Sequence, residues 1–258
     1  MMKVVFLGSG TSTGVPVIGC ECAVCKSENP RNKRLRSSVL VQSNTTTLLV
    51  DSCPDLREQA LRHRLTAIDG VIYTHEHLDH TAGFDEMRAF CWRRTERLPL
   101  YAGTACLAQL RNMFGWAFSE SNTYQGYIRP AAHDHAGDSF VIGDIAVTPV
   151  PVIHATVETY GYVFRSGGKS FGYVPDIQEL PESSRPLLEG LDALAMDGLR
   201  FRPHRTHFNV EQNIALMQQL RPGLGLVTHC GHEVDFEVLS RLLPDFMQPA
   251  WDGLMIEL

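Results

Sequence analysis

Short apolar runs separated by turn-forming clusters recur along the whole chain. Lys3 to Leu7 predicts a strand that stops at Gly8-Ser9-Gly10-Thr11-Ser12-Thr13-Gly14. Ser38 to Gln42 and Thr46 to Val50 predict a hairpin around Ser43-Asn44, with Asp51 at the end of its second strand. Leu56 to Arg64 predicts a short helix, and Gly70 to Tyr73 another strand. Ala82 to Arg94 has helical spacing, Leu98 to Ala102 reads as a strand and Thr104 to Met113 as a helix. Ala117 to Arg129 has weak periodicity and predicts a loop or lid. Strands then crowd together at Asp138 to Ile142, Ile145 to Val152, Tyr160 to Arg165 and Ser170 to Val174. Ser183 to Glu189 and Val210 to Leu220 predict helices, while Ala193 to Met196, Gly225 to Thr228 and Met255 to Leu258 predict strands. Each half has strands first and helices between later strands, which predicts two sheets covered by helices in an α/β or α+β layered fold. No Pro-, Gly- or Ser-rich linker divides the chain, so residues 1–258 are expected to form a single domain.

The polar residues that interrupt this pattern are unusual. Val71-Ile72-Tyr73 runs into Thr74-His75-Glu76-His77-Leu78-Asp79-His80, three histidines and an aspartate within six positions. Neutral imidazole and carboxylate oxygen are ligands of zinc, manganese and iron. Four such groups on one turn can serve a metal pair, with His75 and His77 reaching one ion and Asp79 and His80 the other. His154, Asp176 and His229 also follow apolar runs, as does Asp51. Layered α/β proteins gather their sites at one edge, where strands hand over to loops.

Composition narrows the class. The chain has 258 residues, 44% hydrophobic and 20% charged, with a formal net charge of −6. An acidic total argues against a large nucleic-acid partner, and the densest basic stretch, Arg31-Asn32-Lys33-Arg34-Leu35-Arg36, reads as a solvated loop. No segment reaches a membrane span of about 18 apolar residues and no signal peptide is evident, so no membrane partner is expected and a cytoplasmic location is the default. Seven cysteines make a poor disulfide framework. Three of them form C-x-C-x-x-C at Cys20, Cys22 and Cys25. A closed tetrahedral zinc needs a fourth ligand, with His232 the first candidate and Cys230 its rival.

His75-Glu76-His77-Leu78-Asp79-His80 resembles the H-x-H-x-D-H signature of the metallo-β-lactamase superfamily, and the order of His154, Asp176 and His229 matches its remaining ligand motifs. The resemblance implies a four-layer αββα sandwich with a dinuclear site at one edge. It implies that His75, His77 and His154 hold one metal, that Asp79, His80 and His229 hold the other, that Asp176 bridges, and that Asp51 orients a ligand imidazole. Zinc, manganese and iron all suit that shell. Two divalent ions can clamp the oxygens of a displacement at phosphorus and activate water at neutral pH.

The cysteine triplet together with Thr228-His229-Cys230-Gly231-His232 is similar to a narrower group, the phosphoribosyl 1,2-cyclic phosphate phosphodiesterases of bacterial phosphonate degradation. That resemblance implies a structural zinc on Cys20, Cys22, Cys25 and His232, near residues 20–25. It implies that His207, in Thr206-His207-Phe208-Asn209, protonates the leaving alcohol, so His207 and Asp79 are the candidate catalytic residues. It further implies a small or cyclic phosphodiester as substrate and a homodimer. The tRNA 3′-processing endonucleases share the Gly-Ser-Gly-Thr-Ser start but carry a basic arm that is not evident here. The B protein of pyrroloquinoline quinone synthesis shares the cysteine triplet and represents a non-hydrolytic alternative.

Overall fold

The computed structural model describes residues 1–92 and 94–258. Strands β1 (Lys3–Gly8), β2 (Ser38–Gln42), β3 (Thr47–Val50), β4 (Gly70–Ile72), β5 (Leu98–Ala102) and β6 (Pro130–Asp134) come from the first half. Strands β7 (Phe140–Ile142), β8 (Ile145–His154), β9 (Val157–Ser166), β10 (Lys169–Val174), β11 (Ala193–Asp197), β12 (Leu224–Thr228) and β13 (Met247–Pro249) follow, and β14 (Met255–Glu257) ends the series. They form two seven-stranded sheets, ordered β14-β1-β2-β3-β4-β5-β6 and β13-β12-β11-β10-β9-β8-β7.

Side-chain alternation explains the layering. On β1, Val4 and Phe6 point between the sheets, where they meet Phe164, Phe171 and Tyr173 of the second sheet. Val5 and Leu7 point the other way, into a core shared with Phe84, Leu107 and Leu110 on the helical side. On β11, Ala193 and Ala195 join the inter-sheet core while Leu194 and Met196 pack against Val210, Met217 and Leu220. Three cores therefore separate four layers, the αββα sandwich expected.

Each sheet combines antiparallel and parallel pairing. β3, β4, β5 and β6 are mutually parallel, as are β10, β11, β12 and β13. Their carboxyl ends deliver Asp51, the His75–His80 segment, Asp176, Asp197 and His229 to one edge. The backbone is left-handed at Asp51 (φ 61°) and at His229 (φ 58°). Non-glycine residues adopt that conformation at a cost, and such strain concentrates at functional sites.

Two expectations are corrected. The helix expected over 82–94 is broken into a 3-10 turn, Phe84–Met87, and a short helix, Arg88–Cys91, and residue 93 lies outside the described residues. Gly83 is pinned to Ser52 O (2.8 Å), so the backbone leaves the Leu78–Thr81 helix before a longer one can begin. Of the loop or lid expected over 117–129, the loop is found, after the short helix Gly115–Phe118, and the lid is not. Helix Thr104–Met113 starts at the site edge and carries the chain away from it, about 15 Å for ten residues. Arg97 then donates to Ser119 O and Glu120 O, and Leu98 N donates to Arg129 O, which seats this segment beside the amino end of β5. Among the described residues, no helix is long and apolar enough to cross a membrane.

Candidate metal centre

β4 ends at Ile72, and the chain continues through buried Tyr73 and Thr74 into the histidine segment. His77 then caps the Leu78–Thr81 helix, so Asp79 and His80 fall on its first turn while His75 and His77 precede it. Donor atoms of His75, His77 and His154 lie within 4.8 Å of one another, as do those of Asp79, His80 and His229. Asp176 stands between the groups, with Oδ2 3.1 Å from His80 Nε2 and Oδ1 3.5 Å from His229 Nε2 and 3.7 Å from His154 Nε2.

The far side of several rings is tied down, which fixes the tautomer and frees the inner nitrogen. His80 Nδ1 donates to Asp51 Oδ2 at 2.7 Å, and Asp51 itself accepts from Thr74 N and Thr74 Oγ1. His154 Nδ1 donates to Thr206 O at 2.8 Å. Burial drives His75 well below the ordinary histidine range and lowers His154, so both present neutral lone pairs. Burial would raise the Asp176 carboxyl, yet His229 and His80 hold it well below the usual range.

These residues fit a pair of divalent ions. His80 Nε2, Asp176 Oδ2 and His229 Nε2 are buried and lack hydrogen-bond partners, although each points into the cluster. Among the described residues, Asp51, Asp79, Asp176 and Asp197 make no ion pair with any Lys or Arg. Buried carboxylates need compensating charge, and two divalent cations supply it.

Cys20, Cys22, Cys25 and His232 form a second group within 4.8 Å. His232 Nδ1 lies 3.2, 3.6 and 3.8 Å from the three sulfurs. Zn–S bonds of about 2.3 Å imply tetrahedral edges of roughly 3.8 Å, close to this spacing. The Cys22 thiol is drawn down to about 6, first by the Cys25 N–H that it accepts, while burial pushes Cys25 up to about 11. A metal ion would hold both as thiolates. Cys230 is set apart: it is buried, donates to Gly198 O, and burial pushes its thiol up to about 11.

Sequence reasoning missed Asp197. It ends β11, level with Thr228 of β12, and is fully buried. Its Oδ2 accepts from His207 Nδ1 at 2.8 Å, and its Oδ1 lies 3.9 Å from His229 Nδ1. Burial raises the Asp197 carboxyl well above its usual range and lowers His207. The His207 ring lies 4.7 Å from that of His154 and 5.1 Å from that of His229, facing both donor groups.

A family model described as a beta-lactamase superfamily domain matches residues 46–230. The chain belongs to the metallo-β-lactamase superfamily. It is similar to a diphosphatase described as a new member of the PhnP family, at 37% identity and a TM-score of 0.92, covering 100% of this chain and 98% of that one. Zn(2+)-bound PqqB from Methylobacterium extorquens shares the superfamily fold at 22% identity and a TM-score of 0.82, over 99% of this chain and 100% of that one. An octanoyltransferase of Porphyromonas gingivalis is 33% identical over 98% of this chain, which spans about half (51%) of that longer protein. Superfamily and diphosphatase neighbour together support a metal-dependent hydrolase.

Proposed function

We propose that this protein is a dinuclear metal-dependent phosphodiesterase that hydrolyses a small or cyclic phosphodiester, with phosphoribosyl 1,2-cyclic phosphate as the candidate. The observation that carries the reading is the His207–Asp197 pair set against two converging donor groups. His75, His77 and His154 would hold one ion, Asp79, His80 and His229 the other, with Asp176 between them. Zinc or manganese, or iron, bound there would activate water and neutralise charge on the phosphoryl oxygens.

The chain's own residues supply the rest. An alkoxide leaves poorly without a proton, and a histidine is suited to donate one. Asp197 engages Nδ1 of His207 and leaves Nε2 for the leaving oxygen. Of Asp51, Asp79, Asp176 and Asp197, Asp79 is the most open, with 14% of its side chain exposed, so an incoming substrate would meet it first. Asp51 and the Thr206 carbonyl hold His80 and His154 in place, so donors need not reorganise when substrate binds. Cys20, Cys22, Cys25 and His232 would hold a structural zinc that ties the N-terminal loop to the loop bearing His229.

The test is a His207→Ala enzyme assayed on an alkyl phosphodiester and on bis(4-nitrophenyl) phosphate, with metal content measured in parallel. It should keep its metals, lose turnover on the alkyl ester by about 100-fold or more, and lose far less on the nitrophenyl ester. Retained turnover of the alkyl ester rules out the role for His207. A metal-loaded wild-type protein that hydrolyses neither ester rules out the phosphodiesterase.

A further inference from the structure

On the helical side of the first sheet, helix Leu56–Arg62 and the segment Glu86 to Trp92 form the two walls of a groove of about 500 Å³. A second cavity of about 440 Å³ shares Leu65, Ala89, Phe90 and Trp92 with it and prolongs it towards Arg94. The helix alone supplies roughly 10 Å of wall at about 1.5 Å per residue. One wall follows Asp51 in the chain and the other follows His80. Gly83 N donates to Ser52 O (2.8 Å), which joins the two where they leave the metal centre.

The groove combines exposed apolar surface with unpaired positive charge. Leu61 and Trp92 both line it and remain 63% and 57% exposed, with Ala60 and buried Phe90 in the same lining. Large apolar side chains gathered in a concave surface and left in water mark an interaction site. Arg57 and Arg64 also line it, and among the described residues neither pairs with a carboxylate, whereas Glu58 and Asp85 are engaged by Arg62 and Arg88. Glu86 is the one carboxylate in the lining of either cavity among the described residues. The local charge is thus opposite in sign to the net −6 of the chain.

We propose that this groove receives an acidic amphipathic helix of another protein. The apolar face of such a helix covers Leu61 and Trp92, and carboxylates on its flank meet Arg57 and Arg64, in the manner of helix-in-groove recognition. Tryptophan and arginine are the side chains that most often anchor protein interfaces. Charge complementarity selects this occupant over a second copy of the chain. A two-fold contact sets a patch against itself, which would bring the two unpaired arginines against their own copies with Glu86 alone to offset them. A flat anionic lipid surface would meet the arginines without filling the concave space between the walls. The proposal is independent of what the metal centre hydrolyses.

The experiment uses the full-length, metal-loaded protein and two labelled synthetic helices about three turns long, read by fluorescence anisotropy. One carries a leucine face flanked by glutamates, and the other has lysine in place of every glutamate. The acidic peptide should bind about tenfold or more tightly than the basic one, with the gap narrowing as salt is raised. Arg57→Glu/Arg64→Glu should reverse that preference, which loss of folding could not do. Leu61→Asp, at a position already exposed, should weaken the acidic peptide by about tenfold. Equal binding of the two peptides, or no saturation by the acidic one up to about 1 mM, overturns the proposal. So does sedimentation showing a dimer that Leu61→Asp splits into monomers, because a second copy then fills the groove. Binding to phosphatidylglycerol vesicles that Arg57→Glu/Arg64→Glu abolishes, without peptide binding, likewise overturns it in favour of a membrane surface.

Discussion

Asp197→Asn removes the charge that Asp197 can present to a protonated His207, and almost nothing else. The side chain is fully buried at the end of β11, and asparagine fills the same volume. Its carbonyl oxygen can still accept from His207 Nδ1, now 2.8 Å from Asp197 Oδ2, so the ring keeps its place. What is lost is the stabilisation of an imidazolium that must carry a proton to the leaving oxygen. Two unit charges with centres about 4 Å apart interact by ~4 kcal/mol at an effective dielectric constant near 20. At 1.36 kcal/mol per tenfold, this caps the effect at about 1,000-fold in rate. We expect kcat on an alkyl phosphodiester to fall by about 100-fold or more, because neighbouring Asp176 and Asp79 retain part of the favourable field. A nitrophenolate leaves without a proton, so bis(4-nitrophenyl) phosphate should lose less than about fivefold. Metal content must be measured alongside, since Asp197 Oδ1 also lies 3.9 Å from His229 Nδ1. An equal fall on both esters, with both metals retained, refutes the assignment of Asp197 to the proton donor.

Cys22→Ser should release one zinc and lower Tm by roughly 5 °C, a cost of about 1–3 kcal/mol for opening a clip between residues 210 apart. That figure stays below the full closure entropy because Arg34 to Gly231 and Asn32 to Asp235 already join the same loops; unchanged zinc and Tm would refute it. His135 is buried and donates to Tyr162, and burial lowers its titration to about 4 from 6.5. The unfolded chain takes up that proton first, so the contribution is present above pH 6.5 and is lost as pH falls towards 4. It amounts to about 2 kcal/mol after screening. His135→Gln should therefore flatten the fall in urea midpoint between pH 7 and pH 5, and an unchanged slope would count against this account. Gly83→Ala would place a Cβ 2.0 Å from Cys53 O, directly after the helix bearing Asp79 and His80. A loss of ~3 kcal/mol or more is expected by thermal melting, and a wild-type Tm would show that the backbone yields there.

Much of this protein was legible in its sequence because the relevant signals are local. His75 to His80 sit within six positions, and a strand of three residues followed by one helical turn places them by short-range geometry alone. The order of elements, with strands first in each half and helices between later strands, indicated two sheets with helices outside. The fourth partner of the cysteine triplet was narrowed to His232 or Cys230, two residues apart. Tertiary structure separated them by turning Cys230 towards Gly198 O.

What sequence could not reach depends on pairing between distant segments. β6, Pro130-Ala-Ala-His-Asp, has neither β-branched residues nor alternation, and it is a strand because β5 supplies a parallel ladder. Asp197 follows the strand expected over Ala193 to Met196 and carries no local signal of its own. Its role follows from parallel register, which sets it level with Thr228 and brings it to His207, ten residues further along the chain. The Thr206 carbonyl that orients His154 is a backbone atom, which no residue type can signal. The amino-acid sequence by itself determined which residues could bind metal and roughly which layers they would join. Only the tertiary structure decided which carboxyl faces the proton donor and which backbone carbonyl orients His154, because both depend on contacts whose closing segments carry no local pattern.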